Sequence, residues 1–410
     1  MPYIWSKRFY EEEYKLKLRV KPFTLFLYMA IILFLILGTH FIFLKKELSA
    51  DMDLIIQEEP TWKGIITLWD ISYVDVGTGS RSEWLNNWVK NFEKQNPGIF
   101  IDVRRMTPQR VKAYFSSDIN EDYLPDIISL NNYEQTVPIN MLEDLTSFFT
   151  KEELSRFYIA AYQRVEDEGK IYGVPWMMGA YALILNQDMV EEKGFILDEA
   201  SIDYESLGKI IEGLAYVKET GKTKEIIYGF CSYDTEHSRP LVSMNYAGGG
   251  KILNTWTSKE EIAPENIWNL DKREAYDLFL GQKSGAVLGG TDIIFRARAM
   301  QEQGNGFRIK VVPLNGTEKL LQDQISAFGI IKQQNSEKLK YCVEFLKLLI
   351  SKEVQAEIKQ LGMFPVVNDV GEIYSDDPEM NELEKKVPMY RWGPDDQRWN
   401  NMLKNHRKEE

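Results

Sequence analysis

The chain has 410 residues, 44% apolar and 27% charged, which is the balance of a globular protein long enough for two domains. Its net charge of −13 argues against a basic nucleic-acid-binding face, so no nucleic-acid partner is expected. Cys231 and Cys342 stand 111 positions apart and the histidines His40, His237 and His406 are scattered, which leaves no disulfide framework, no metal site and no cofactor box. A single bridge between the two cysteines stays open if the compartment is oxidising.

Residues 1–22 carry six basic residues, Lys7, Arg8, Lys15, Lys17, Arg19 and Lys21, against Glu11, Glu12 and Glu13. Phe23 to Leu44 then runs 22 residues without a charge. As a helix at ~1.5 Å per residue this stretch reaches roughly 33 Å, enough for a bilayer core of about 30 Å. It is longer than the about 7–15 residues of a signal-peptide core, and no small-x-small cleavage site follows it. No cysteine follows it closely either, so lipid attachment there is excluded. The expectation is an uncleaved, single-pass anchor over 23–44. The basic excess before it puts residues 1–22 in the cytoplasm and the main domain outside the cell membrane. Residues 45–61 are polar and read as a tether.

Gly64 to Trp69 is a β-rich run. Ser80-Arg-Ser-Glu83 is a capping box that opens an amphipathic helix to Gln95, stopped by Asn96-Pro97-Gly98. A strand is expected over Ile99–Arg104, a helix near Pro108–Ile119, and a buried strand over Leu124–Leu130. This β-α-β-α-β order predicts a mostly parallel, doubly wound sheet. Ligands of such sheets sit beyond the carboxyl ends of the strands, here Ile71–Asp75 and Asn131–Glu134. Thr150-Lys-Glu-Glu153 caps a helix expected to end near Asp167.

The stretch Gly169 to Asn186 is apolar but broken by Pro175 and Gly179, so it reads as two extended pieces joined at Met177–Tyr181. This predicts a crossing between two lobes, with Trp176 and Tyr181 facing the gap. A second α/β series follows. It has a helix over Tyr204–Val217, a strand over Ile226–Cys231, a helical turn at Leu241–Tyr246 and a flexible turn at Gly248–Gly250. No Lys-Ser/Thr pair follows those glycines, so they are not a phosphate loop. Then come a helix over Asp271–Gln282 and a strand over Ala286–Gly290, which leads through Thr291-Asp292 into another helix. A strand over Phe307–Val312 follows. Gln324–Ile331 reads as a second crossing, Ser336–Leu361 as two helices, and Pro378–Lys386 and Pro394–Lys404 as two more.

Several fragments in this order resemble the extracellular solute-binding proteins of ABC importers, in the carbohydrate-binding group that includes maltose-binding protein. They are Ile66-Thr-Leu-Trp69, Phe92-Glu-Lys-Gln-Asn-Pro-Gly98 with Ile101-Asp-Val103, and Leu124-Pro-Asp-Ile-Ile-Ser-Leu130. Gly169-Lys-Ile-Tyr-Gly-Val-Pro-Trp176 with Leu183-Ile-Leu-Asn186 is the strongest. Glu344-Phe-Leu-Lys-Leu-Leu-Ile-Ser351, Gln355 and Gly362-Met-Phe-Pro365 come last. The resemblance covers about residues 62–405. It implies a two-lobed, periplasmic-binding-protein-like α/β fold, two doubly wound lobes joined by hinge strands, here preceded by one transmembrane helix. It assigns 62–178 with 328–365 to the first lobe and 182–325 with 366–410 to the second. Two features depart from the family. Most relatives are released or lipid-anchored, whereas this chain carries an apolar helix. Leu130 and Gly179 stand where sugar binders place aromatic or acidic contacts.

The implied function is capture of a mono- or oligosaccharide between the lobes and delivery to importer permease subunits in the membrane. A monomer is expected, with no enzymatic chemistry. Sugars need aromatic platforms for their C–H faces and polar side chains for their hydroxyls. The positions that match family contact loops supply them. They are Tyr73, Asp75, Asn131, Asn132, Tyr133, Glu134, Trp176 and Tyr181, then Tyr233, Asp234, Thr291, Asp292, Tyr390 and Trp392. Each aromatic has core packing as its competing role, and each loop acid has plain solvation. Trp69 and Trp88 are assigned to the core. An oxyanion ligand is disfavoured, because Arg81, Arg239, Arg296 and Arg391 are not clustered in sequence. Two alternatives remain: a ligand-sensing ectodomain partnering a membrane signalling protein, and a glycoside hydrolase working through two carboxylates.

Overall fold

Gly64–Ile71 forms β1 and Ile99–Met106 forms β2, paired in parallel along their whole length from Gly64 against Ile99 to Ile71 against Met106. The computed structural model that shows this describes residues 60–410, without 72–80, 117–122, 131–136, 198–203, 236–237, 314–319, 322–323, 392, 394–396, 398–400 and 402–410. The expected anchor and tether therefore lie outside the described residues, and among those described no helix is long and apolar enough to cross a membrane.

The helix Arg81–Gln95 returns the chain between β1 and β2, and Trp84, Leu85, Trp88, Val89 and Phe92 make up its buried stripe at helical spacing. β3 (Ile127–Leu130) joins β1 in parallel on its other side. Two short hairpin strands, β4 (Glu166–Asp167) and β5 (Lys170–Ile171), turn at Gly169 and lead into β6 (Val174–Met178). β7 (Tyr181–Asn186) begins after only Gly179 and Ala180, but in a different sheet. Pro175 is accommodated because β6 is an edge strand, where a missing N–H costs least, and the ladder opposite it is bulged between Ser326 and Ala327.

Further along come the hairpin β8 (Tyr216–Thr220) and β9 (Thr223–Ile227), then β10 (Ala286–Gly290), β11 (Ile309–Pro313), β12 (Leu320–Leu321), β13 (Ile325–Ile330) and β14 (Tyr390–Arg391). The first sheet has the order β2-β1-β3-β13-β6 and the second β10-β7-β11. The first is parallel over β2-β1-β3 and antiparallel where β13 inserts between β3 and β6. In the second, β7 runs antiparallel to both neighbours, so this sheet departs from the expected parallel winding. All six residues of β7 are buried, the mark of a central strand covered on both faces.

Three segments meet where the chain passes between the sheets. Met178 exchanges backbone hydrogen bonds with Phe364 at 3.1 and 2.7 Å, and Gly179 N–H donates to Gln324 O at 2.8 Å. Gln355, fully buried, holds the junction from behind. Its Nε2 donates to the carbonyls of Trp176 and Leu349, both at 2.7 Å, and its Oε1 accepts from Val366 N–H at 2.8 Å.

Several expectations are corrected by tertiary pairing. The helix expected to run to Val217 stops at Leu214, and Tyr216 and Val217 open β8. Opposed Lys218/Glu225 and Glu219/Lys224 make both faces of that hairpin polar, which hides its two-residue period. The helix capped by Thr150 is two short ones, Lys151–Ser155 and Ile159–Gln163. It breaks because Phe157 pairs with Val367 and Tyr158 N–H donates to Val366 O at 2.9 Å. Gly248–Gly250 is not a free turn. It lies where a wide helical turn, Asn245–Gly249, joins the helices Pro240–Met244 and Gly250–Thr257, with Gly248 at φ 100°. The two cysteines are free and buried, with no bond between them. Burial pushes the Cys231 thiol up to about 12.

Candidate functional site

At the carboxyl end of β10 the chain turns through Thr291 into the helix Asp292–Glu302. Asp292 is buried there, yet both its oxygens are engaged. Oδ1 accepts from Tyr276 Oη at 2.9 Å, and Oδ2 pairs with Lys272 Nζ at 2.9 Å. Lys272 and Tyr276 lie one turn apart on the helix Lys272–Leu280, so both reach the same carboxylate. The Lys272 ammonium also stands over the rings of Tyr276 and Tyr233, at 5.5 and 6.0 Å from their centroids. Those two rings meet edge to face at 5.7 Å.

From Tyr233 the network continues to the start of β7. The hydroxyls of Tyr233 and Tyr181 lie 3.1 and 3.2 Å from Ser238 Oγ. Tyr181 Oη accepts from Arg239 N–H at 2.6 Å, and Arg239 Nη1 donates to Asp234 Oδ2 at 2.7 Å. Tyr181, Tyr233, Asp234 and Asp292 are thus brought into one buried network beside the crossing. Ser238, Arg239, Lys272 and Tyr276 complete it, and sequence reasoning did not single them out as contacts. A spacing clue was present, since Lys272 and Tyr276 are i and i+4 just after the Asp271 capping box. Each acid in the network has a cation, so the charges balance locally. Arg239 Nε and Ser243 Oγ, on successive turns of one short helical segment, are buried with no partner among the described residues.

At the carboxyl ends of β1 and β3 a second buried cluster forms. Asp70 pairs with Arg81 at the start of the following helix and accepts from Ser129 Oγ at 3.1 Å. Ser129 Oγ in turn accepts from Ile71 N–H at 3.1 Å. The Arg81 guanidinium carbon lies 5.4 Å from the centroid of Trp176.

Trp176 is not placed as expected. Its ring stacks between Trp84 at 5.3 Å and Phe328 at 5.8 Å, and the residue is fully buried, so neither face is open to a solute. A buried edge strand, rather than the gap, takes this side chain. Thr291 is likewise committed to structure, its hydroxyl donating to Gly362 O at 2.8 Å. Tyr390 is buried in β14, which packs against the helix Ile159–Gln163, and burial pushes its phenol well above the usual range. Trp69 and Trp88 are core residues, at 2% and 6% exposure. Tyr73, Asp75, Asn131, Asn132, Tyr133, Glu134 and Trp392 lie outside the described residues. No group of His, Cys, Asp and Glu among the described residues has the arrangement of a metal site.

The arrangement offers hydroxyl and guanidinium donors, carboxylate acceptors held by cations, and aromatic edges, all near the chain crossing.

The profile of the bacterial extracellular solute-binding proteins matches residues 87–383, well over half of the chain. Comparison with curated proteins gives no match. Among solved structures the chain is similar to an ABC substrate-binding protein from Listeria monocytogenes in complex with cycloalternan. The identity is 18%, the TM-score 0.59, and the match covers 80% of this chain and 88% of that one. It is also similar to maltose-bound MalE3 of T. maritima, at 20% identity, TM-score 0.56 and coverage of 78% and 86%. The maltotriose-bound MalE domain from Bdellovibrio bacteriovorus aligns at 14% identity, TM-score 0.56 and coverage of 79% and 88%. These similarities identify the fold as two-lobed and periplasmic-binding-protein-like.

Proposed function

The chain belongs to the bacterial extracellular solute-binding proteins, and from that premise we propose that it is the solute-capturing component of an ABC importer, held at the outer face of the membrane by Phe23–Leu44, with a carbohydrate as its solute. The observation that carries the reading is the Tyr181–Ser238–Tyr233 network with its flanking Arg239–Asp234 and Lys272–Asp292 pairs. It stands at the carboxyl end of the second sheet, beside the chain crossing. The sugars named for the similar structures, cycloalternan, maltose and maltotriose, support the same class of solute.

In this reading the two lobes swing about the crossings at Met178–Tyr181, Gln324 and Phe364. The solute binds the closed form more tightly and so shifts the population toward it, with no covalent step. Tyr181, Tyr233, Asp234 and Asp292, largely buried and bonded into the network, brace the second lobe's side of the gap. Tyr73, Asp75, Asn131, Asn132, Tyr133, Glu134 and Trp392, outside the described residues, are the further contacts proposed. The carboxylates of Asp234 and Asp292, oriented by Arg239 and by Lys272 with Tyr276, shape the polar wall that meets the sugar hydroxyls.

A thermal-shift panel of neutral mono- and oligosaccharides, with α-glucans and chitin fragments included, tests this. A rise in melting temperature that saturates with one sugar class is the expected result. No shift with any sugar, alongside a shift with amino acids or oxyanions, overturns the carbohydrate assignment.

A further inference from the structure

β2 is the edge of the first sheet, and its free side has the pattern of a self-complementary strand. Gly64 N–H donates to Gly98 O at 3.0 Å, so the even-numbered residues of this strand turn their backbone groups toward β1. The odd-numbered residues turn theirs outward. Ile101 N–H is already taken by Glu93 Oε1 at 2.8 Å. Val103 and Arg105 N–H have no acceptor among the described residues. On the even-numbered face Phe100 is 57% exposed beside Ile65 at 59%, its register partner in β1. The same face carries Asp102 and Arg104, paired along the strand at 2.7 Å and both open to solvent.

We propose that two copies of this chain associate through β2, antiparallel about a two-fold axis at Val103. Among the possible centres this one is singled out by charge. A two-fold at Asp102 sets two aspartates opposite each other, one at Arg104 sets two arginines opposite, and one at Arg105 does the same. A two-fold at Ile101 sets Asp102 against the partner's Phe100 and pairs no charges across the axis, and in every register the Ile101 N–H stays with Glu93. Centred on Val103, the free Val103 N–H groups bond across the axis, and Arg105 N–H reaches the partner's Ile101 carbonyl. Asp102 faces the partner's Arg104, twice by symmetry, and Phe100 faces the partner's Met106. An isologous contact of this kind joins the two five-stranded sheets edge to edge. It departs from the monomer expected on sequence. One eight-residue strand with a small apolar flank makes the association concentration-dependent rather than permanent.

Sedimentation velocity on the full-length chain over a wide concentration range tests this. The expected result is a monomer–dimer equilibrium. Arg104→Asp raises its midpoint concentration at least tenfold, and Asp102→Arg with Arg104→Asp brings the midpoint back. Arg104 is 58% exposed, so its substitution leaves the core untouched, and an unchanged melting temperature verifies that. A monomer at every concentration overturns the proposal. So does a dimer indifferent to Arg104→Asp, which places association elsewhere in the chain, or a double swap that fails to restore the equilibrium.

Discussion

Lys272 and Asp292 show what a single side chain contributes here. Their side chains are 16% and 3% exposed, so each ion depends on the other and on Tyr276 rather than on water. Removing one member of a buried pair strands the other, at a cost of about 3–5 kcal/mol. Asp292→Ala is therefore expected to lower unfolding free energy by about 3 kcal/mol in urea titration, and Asp292→Asn, which keeps an acceptor for Tyr276, by less. A loss under about 0.5 kcal/mol for the alanine variant would mean that water already serves Lys272. These pairings were not legible in the sequence. Asp292 was picked because it matches a contact loop of the resembling family, but nothing in the linear order says that Lys272, twenty positions earlier, comes to it. Trp176 shows the same limit in reverse. Its motif was read correctly as a crossing, while the direction of the ring depends on Trp84 and Phe328, which no local pattern supplies.

Among elements, the crossing between β6 and β7 was the most legible. Pro175 and Gly179 forbid one continuous strand, and the structure puts the two halves in different sheets. Strands Ala286–Gly290 and Gln324–Ile331 were equally clear, because apolar runs bounded by turn residues leave few alternatives. The hairpin β8–β9 and the break at Phe157 were hidden, one by polar faces on both sides, the other by pairing with Val367, 210 positions away. Gly362, which ends the helical turn before Phe364, is the residue at this scale on which the third crossing turns. It adopts φ +68°, and a Cβ there would lie 2.6 Å from the Phe295 ring. The left-handed conformation alone costs a non-glycine residue roughly 1–2 kcal/mol. Gly362→Ala is expected to lose at least that much in chemical denaturation, with Thr291 and Tyr374 losing register on the carbonyls of Gly362 and Met363. An alanine variant as stable as the parent would show that the segment can relax away from Phe295.

For the whole molecule, two sheets of different construction are joined by three adjacent segments, with polar clusters at the carboxyl ends of β1 and β10. That geometry suits a receptor that works by closing, since a rotation about three short segments moves each lobe as a body and leaves both cores intact. The family and the two-lobed architecture were legible because the fragments that carry them keep their order along the chain. The solute was not, because no fragment of the linear order fixes which side chains meet in space. The account rests on closure around a bound carbohydrate, and small-angle X-ray scattering on the full-length chain measures it directly. With the sugar that raises the melting temperature present at saturation, the radius of gyration is expected to fall relative to the sugar-free protein. A saturating thermal shift with an unchanged radius of gyration would contradict it.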